Sequence, residues 1–402
     1  WELFWPAQTG GIFTEEQLRS LLGGGEWALE GATIGEVLHE LETETFAAFA
    51  HVTAALTDNL SLILGLRYND EEKTLDRRNL QFDDVNDYSD YLQDFVLGGY
   101  LLGANIAGPD IDDLKYSDDE WTYDVKFQYF LSPDAQLYGG YSRGFKAGGI
   151  GMDPEAGGGQ PSGQNSELVF DAFQIGNGTG FADLEDPTYE PEYVDAWELG
   201  LKTDYLDGRG RFNTAFFYND IEDIQFSVFS GTGFRVLNAS DAEVLGVELE
   251  TFFAVTEYLH LGASLTWLDT EYGDDIPEPA PPGRNFTYAP DWAGVVTLGY
   301  ERPLSASLSG FFNANWAYQG EAYQAYDIQD KETDYTLLGL QLGLRNIGGG
   351  WDVRVWCDNC LDEKYATGYF NQPFYFDDNL EQYQGQFTGP PRTWGISLRL
   401  DF

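Results

Sequence analysis

The chain is written in short segments that alternate apolar and polar residues with a period of two. The last one is the clearest. In Thr393-Trp394-Gly395-Ile396-Ser397-Leu398-Arg399-Leu400-Asp401-Phe402, one face of a strand would carry Trp394, Ile396, Leu398, Leu400 and Phe402. The opposite face would carry Ser397, Arg399 and Asp401. Trp351-Asp352-Val353-Arg354-Val355-Trp356 behaves the same way, with Trp351, Val353 and Val355 on one side and Asp352 and Arg354 on the other. About fourteen such segments of roughly ten residues run through the chain. They predict an all-β antiparallel sheet with one apolar and one polar face.

The segments pair into hairpins. Strands are predicted over 42–56 and 60–73, 121–130 and 135–145, 194–205 and 210–224, and 242–254 and 258–270. Further pairs are 292–301 with 306–316 and 335–346 with 351–359, and 392–402 is the last strand. Short joins carry turn residues such as Thr57-Asp58-Asn59, Asp207-Gly208 and Gly348-Gly349-Gly350. Long joins fall only between the pairs, at 74–120, 146–193, 225–241, 271–291, 317–334 and 361–391. A soluble sandwich has no reason to keep every long loop at one end. A transmembrane β-barrel does, because its inner turns are short and its outer loops long. With Phe402 at the periplasmic rim, every long segment lies outside the cell. Residues 1–41 read differently: Thr14-Glu15-Glu16-Gln17-Leu18 opens on a capping-box pattern and predicts a short helix. The expected organisation is therefore an extracellular loop region at 1–41 and barrel wall over 42–402.

Composition agrees. No run reaches about eighteen apolar residues, which excludes a transmembrane helix and leaves a barrel open. Aromatics make up 16 % of the 402 residues, enough for girdles at two membrane interfaces. A net charge of −47 excludes a nucleic-acid partner, whose phosphates need cations. Trp1 starts without a signal-peptide pattern, as expected of a mature or trimmed piece. The two cysteines, Cys357 and Cys360, have a spacing that fits a redox pair, half a zinc site, a local disulfide or inert thiols. A zinc site wants four ligands and the chain has 3 histidines, so a disulfide or inert thiols are favoured.

Several segments resemble TonB-dependent outer-membrane receptors. Tyr138-Gly139-Gly140-Tyr141-Ser142-Arg143-Gly144-Phe145-Lys146-Ala147-Gly148-Gly149 is similar to a signature strand of that family. Pro191-Glu192 with Trp197-Glu198-Leu199-Gly200-Leu201-Lys202, and Phe216-Phe217-Tyr218-Asn219-Asp220-Ile221-Glu222-Asp223-Ile224-Gln225, resemble the strands that follow. Asn238-Ala239, Gly246-Val247-Glu248-Leu249-Glu250 and Asn359-Cys360-Leu361-Asp362-Glu363-Lys364-Tyr365 continue the series in order, with Cys360 stretching the last motif. The resemblance implies a barrel of about 22 strands with a plugged lumen, of which this chain would be the C-terminal part. It also implies uptake of a scarce solute such as a ferric siderophore or other metal chelate, driven by TonB through a plug missing from this chain. A self-closed passive channel of about fourteen strands, or a barrel anchoring a surface partner, is the alternative.

No catalytic constellation stands out. His51 and His260 fall near inner turns, and Gly148-Gly149 and Gly157-Gly158-Gly159 lack the Gly-Lys-Ser/Thr of a phosphate loop. An enzyme is not expected. The outer loops should hold the ligand site. Trp316, Tyr318, Tyr323 and Tyr326 crowd one loop, and Phe370, Phe374, Tyr375, Phe376 and Tyr383 another. Exposed rings stack on sugars, chelators or macrocycles. Arg143, Lys146 and Arg235 are local cations that would offset repulsion of an anionic chelate. Carboxylates at Asp83, Asp84, Asp87, Asp90 and Asp94, at Asp110, Asp112 and Asp113, and at Asp118, Asp119 and Glu120 suit loop-bound calcium, or lipopolysaccharide bridged by divalent ions. No twelve-residue calcium loop is present.

Overall fold

A computed structural model of the chain describes residues 36–80, 111–152, 188–229, 234–239, 241–274, 283–325, 331–332, 334–376 and 382–401. In chain order the strands are β1 (Glu36–Ala55), β2 (Leu60–Leu80), β3 (Ile111–Ser132), β4 (Ala135–Lys146), β5 (Gly149–Ile150), β6 (Thr188–Tyr189) and β7 (Glu192–Tyr205). They continue with β8 (Gly210–Glu222), β9 (Gln225–Phe229), β10 (Phe234–Asn238), β11 (Ala242–Ala254), β12 (Leu259–Tyr272), β13 (Trp292–Pro303) and β14 (Leu308–Gln319). The remainder are β15 (Ala322–Tyr323), β16 (Lys331–Glu332), β17 (Tyr335–Asn346), β18 (Trp351–Asp358), β19 (Ala366–Phe376), β20 (Gln382–Thr388) and β21 (Thr393–Leu400).

Thirteen of them form one antiparallel sheet in the order β1-β2-β3-β4-β7-β8-β11-β12-β13-β14-β17-β18-β21. Sequence neighbours are sheet neighbours throughout, so the sheet is a meander. The other eight strands make four small hairpins inside the long connections: β5–β6, β9–β10, β15–β16 and β19–β20. Strands β1 and β21 are the two edges. Thirteen antiparallel strands make these edges run in the same direction.

The register separates the two faces. Leu298, Ala314 and Leu340 lie side by side across β13, β14 and β17, and Leu342, Val355 and Ile396 do so across β17, β18 and β21. Leu342, Val355, Ile396 and Leu398 are all more than half exposed, as a face meant for lipid should be. The alternate residues are polar. Asn313 pairs with Gln341, Arg345 with Asp352, and Asp352 with Arg399. This is the face a water-filled lumen needs.

Short turns close one end of every barrel hairpin, and three share a mechanism. Thr57, Thr256 and Ser305 begin four-residue turns that each end on a leucine: Leu60, Leu259 and Leu308. The leucine carbonyl accepts backbone N–H bonds from Leu56 and Thr57, from Val255 and Thr256, and from Leu304 and Ser305. The Thr57 and Thr256 hydroxyls accept the leucine N–H at 3.1 and 3.0 Å. A hydroxyl that satisfies turn donors locally makes a tight reversal without a buried loop. The β7–β8 turn instead uses positive φ at Leu206, Asp207 and Gly208.

Strand β1 begins at Glu36, ahead of the expected start at 42, and the predicted loop 74–120 is strand up to Leu80 and again from Ile111. Beyond the membrane the outward face of a strand meets water and the inward face meets the connections folded over it, so the apolar alternation stops while pairing continues. Glu71 opposite Asp118 and Glu72 opposite Ser117 lie in that stretch above the ring. The predicted helix at Thr14–Leu22 lies outside the described residues.

Candidate functional site

The apolar face ends in a ring of aromatics at the long-loop end. Tyr68 meets Trp121 at 5.0 Å between centroids, and a continuous row runs Tyr123–Tyr141–Trp197–Tyr218 at 5.9, 5.2 and 5.6 Å. Trp267 meets Trp292 at 6.4 Å further round. Near the turn end, Tyr205 stacks with Phe253 at 6.3 Å. At about 3.3 Å per residue, Trp197 to Tyr205 covers roughly 26 Å of strand, or about 20 Å of height at a tilt of ~40°, close to an outer-membrane apolar band of ~25 Å once the rings themselves are included.

Trp316 and Tyr318 belong to this girdle. They were expected in a loop, but both stand in β14 on the apolar face, Trp316 beside Val296 and Leu338 and Tyr318 stacked on Trp316 at 6.4 Å. Their rings therefore face the membrane interface and not the lumen. Arg143 shares the apolar face with Leu137 and Tyr141, one step above the ring. Its guanidinium donates to Asp195 at 2.6 Å and Glu222 at 3.3 Å and lies 4.8 Å from the Tyr193 ring centre. Tyr141 donates to the other Asp195 oxygen at 2.5 Å. Arg143 is thus committed to its carboxylates and offers no spare charge to an anion. Lys146, on the polar face, has Nζ 3.9 Å from Glu192.

Above the barrel, the long connections are tied to one another. The Gln225 side-chain amide donates to the carbonyls of Ala147 and Glu190, both at 3.0 Å, and its backbone N–H donates to Glu192 at 2.8 Å. The Asn238 amide donates to the Glu190 and Asp223 carbonyls, both at 2.9 Å, and its oxygen accepts the Glu190 N–H at 2.8 Å. Two amides thereby tie the β4–β7 and β8–β11 connections to each other. Beside them Phe226, Ala239, Ala242 and Tyr272 form a small apolar core with Ile221, Ile224 and Phe286 against it. A second clamp sets the buried Arg284 guanidinium 3.8 Å from the Tyr323 ring centre, while it donates to the Ala325 carbonyl. Tyr323, expected as a free stacking ring, instead fastens the β15 segment to the preceding loop. The sequence assigned none of Gln225, Asn238 and Arg284 these roles, although Gln225 closes the Phe216–Gln225 motif and Asn238 opens the Asn238-Ala239 motif; Arg284 carries no such signal.

The connection after β4 folds over the polar face. Lys73 of β2 donates to the Gly148 carbonyl at 2.5 Å and pairs with Glu71 at 2.7 Å. A Cβ on Gly148 would stand 2.5 Å from the Tyr189 carbonyl oxygen, so only glycine fits there. Leu75 of β2 and Ile150 of β5 are buried. Nearby Asp118 and Glu120 stand on the polar face of β3, in its extension above the ring. Burial raises the Asp118 carboxyl above the ordinary value, and Glu120, Glu190 and Asp119 raise it further. Its Oδ2 has no hydrogen-bond partner among the described residues. Burial likewise raises the Tyr116 phenol.

Hairpin β19–β20 contains Phe374, Tyr375, Phe376 and Tyr383 by backbone, with Phe376 paired to Gln382; those four side chains, and Tyr326 entirely, lie outside the described residues. Arg235 also has its side chain outside them, as do Asp83, Asp84, Asp87, Asp90, Asp94 and Asp110 altogether. In the same hairpin Phe370 and Phe387 lie 5.2 Å apart and are exposed. Cys357 and Cys360 are joined by a disulfide at the outer end of β18. Among the described residues no three His, Cys, Asp or Glu side chains are grouped to hold a metal ion.

The family model for the TonB dependent receptor-like β-barrel matches residues 24–360. The pesticin receptor of Yersinia enterocolitica is 23 % identical over 363 residues, covering 89 % of this chain and 44 % of its own length. The ferrioxamine B receptor of Salmonella typhimurium is 25 % identical over 197 residues, covering 47 % of this chain and 27 % of its own. The ferric yersiniabactin uptake receptor FyuA from Yersinia pestis superposes with a TM-score of 0.67 at 18 % identity, over 92 % of this chain and 47 % of that one. The ferric-catecholate import receptor Fiu from E. coli gives 0.60 at 18 % identity, over 90 % and 45 %. The chain thus spans about half the length of the relatives it matches. A two-faced sheet that sends every long connection to one end needs a membrane whose two sides differ, and this chain belongs to the TonB-dependent receptors, β-barrel receptors and transporters of the bacterial outer membrane that are not enzymes.

Proposed function

We propose that the protein takes up a ferric siderophore or a related metal chelate across the outer membrane by a TonB-driven mechanism. The observation that carries this reading is the outer end of the sheet. All four small hairpins and both side-chain clamps sit there, above a wall whose inner face is polar. A passive wall has no need of such ordered superstructure, whereas a receptor must hold a binding surface in place before transport. The names of the relatives, a ferrioxamine B receptor and a ferric yersiniabactin uptake receptor among them, support chelated metal as the cargo class.

In this reading TonB acts on a plug carried by the rest of the receptor, the outward face contacts membrane lipid, and lipopolysaccharide meets the carboxylates above the aromatic ring. A self-closed channel built from these strands alone would have to pair β1 with β21. Those edges run parallel, and no such pairing is present among the described residues. Bacterial outer-membrane barrels close with an even number of antiparallel strands.

The test is uptake of radiolabelled iron by cells that carry or lack this receptor, each in a TonB-positive and a TonB-negative background. The reading requires accumulation from at least one ferric chelate that disappears when either protein is absent. Accumulation indifferent to TonB would leave a passive barrel.

A further inference from the structure

We propose that the outer end of this receptor selects its solute by charge, accepting neutral or cationic metal chelates and turning away polyanionic ones. The inference rests on the uptake reading above and adds the class of solute to it.

It starts from where the cations are. Lys73 is held by Glu71 at 2.7 Å and by the Gly148 carbonyl. Lys115 lies 3.1 Å from Glu72, Lys146 3.9 Å from Glu192, and Arg392 3.5 Å from Asp362. Arg143 serves two carboxylates and faces the membrane side of the wall. A polyanionic chelate is gripped by several free, convergent cations, with arginine preferred for its paired donors. Each of these five side chains has a carboxylate within 4 Å, the other exposed outer cations among the described residues, Arg78 and Lys364, stand on separate elements, and the chain as a whole carries −47. The excess carboxylates set up a local potential that an approaching anion has to climb, within a Debye length of ~8 Å at physiological salt.

The structure also offers something to a neutral solute. Hairpin β19–β20 has no charged residue from Tyr365 to Phe376 or from Gln382 to Thr388. Exposed Gln384 and Gln386 carry amide donors and acceptors on one face of β20, while the exposed Phe370 and Phe387 rings stand 5.2 Å apart on the opposite face. The amide face suits the carbonyl oxygens of a neutral hydroxamate chelate. It supplies no counter-charge for a catecholate.

The experiment is binding to the complete receptor in detergent, by calorimetry and stopped-flow fluorescence. Three ferric probes are used: a trihydroxamate with a protonated amine, a neutral trihydroxamate, and a tricatecholate trianion. The expected order places the trianion at least about tenfold weaker than the better trihydroxamate, with an association rate that rises with salt. The double variant Asp118→Asn/Glu190→Gln should speed the trianion about threefold at low salt and leave the neutral probe unchanged. Tighter binding of the trianion, weakening with salt, would overturn the charge assignment and leave chelate uptake standing. Binding of none of the three, together with no TonB-dependent iron uptake, would overturn both.

Discussion

Replacing Gly343 by alanine tests whether the inner wall is built from aromatic rings laid over glycines. Gly343 in β17 pairs directly with Phe311 in β14, and Phe311 is only 4 % exposed. The Arg345 guanidinium sits 5.0 Å from that ring and is itself held by Glu301 at 3.2 Å. A Cβ at 343 would lie 2.7 Å from Phe311 Cε1 and 2.6 Å from the Val353 carbonyl oxygen. The ring can swing away, but the carbonyl belongs to the neighbouring strand and cannot move without opening the ladder. Overpacking of this kind costs about 1–3 kcal/mol. Losing part of the Phe311 burial adds to it, while alanine recovers ~0.4–1 kcal/mol by restricting the unfolded chain. The expected net loss is about 2 kcal/mol. Gly144→Ala is the matched control, because a Cβ there meets nothing within 4 Å. It should be neutral or slightly stabilising. The assay is urea unfolding of the complete receptor in lipid vesicles, followed by tryptophan fluorescence and by the heat-dependent shift on gels. Adding Phe311→Leu to Gly343→Ala should recover part of the loss and no more, since the Val353 contact remains. Equal stability of the Gly343 and Gly144 variants would refute the reasoning.

Two other outcomes follow from the geometry. Asp118 has a raised carboxyl pKa, so the folded state holds its proton more tightly than the unfolded chain, and ionising it opposes folding. Asp118→Asn should therefore raise the urea midpoint at pH 7, and the advantage should vanish as pH falls through the carboxylate range; a pH-independent difference would contradict the assignment. Trp316→Ala should slow insertion of refolding receptor into vesicles while leaving chelate affinity within about twofold, because its ring belongs to the interface girdle and not to the solute path. A large loss of affinity with normal insertion would place Trp316 in the site after all.

What could be read from the sequence depended on whether one residue's neighbours along the chain decide its environment. For β18 and β21 they do. Val353 and Leu398 face lipid, and Asp352 and Arg399 face the lumen, because a strand in a membrane must alternate. Once the strands leave the membrane that constraint lapses. The upper part of β2 beyond Lys73 and of β3 up to Glu120 reads as a loop, because no apolar alternation marks it; backbone pairing extends it, and contacts that are remote in sequence, such as Lys73 to the Gly148 carbonyl, tie it down. The same limit moved Trp316 and Tyr318 from loop to wall: two rings spaced by one residue look alike in a binding loop and in an interface girdle. Neighbours that are distant in sequence decide the rest. Arg143 looked like a free cation because Asp195 and Glu222 come from other strands. Tyr323 looked like a free ring because Arg284 arrives from a separate loop. The total charge of the outer end was therefore legible before its distribution was, and the distribution matters more for recognition. A surface of net −47 can still grip an anion if a few arginines are left uncommitted. Arg143, whose position in the chain most suggested that role, is bound to two carboxylates on the wrong side of the wall.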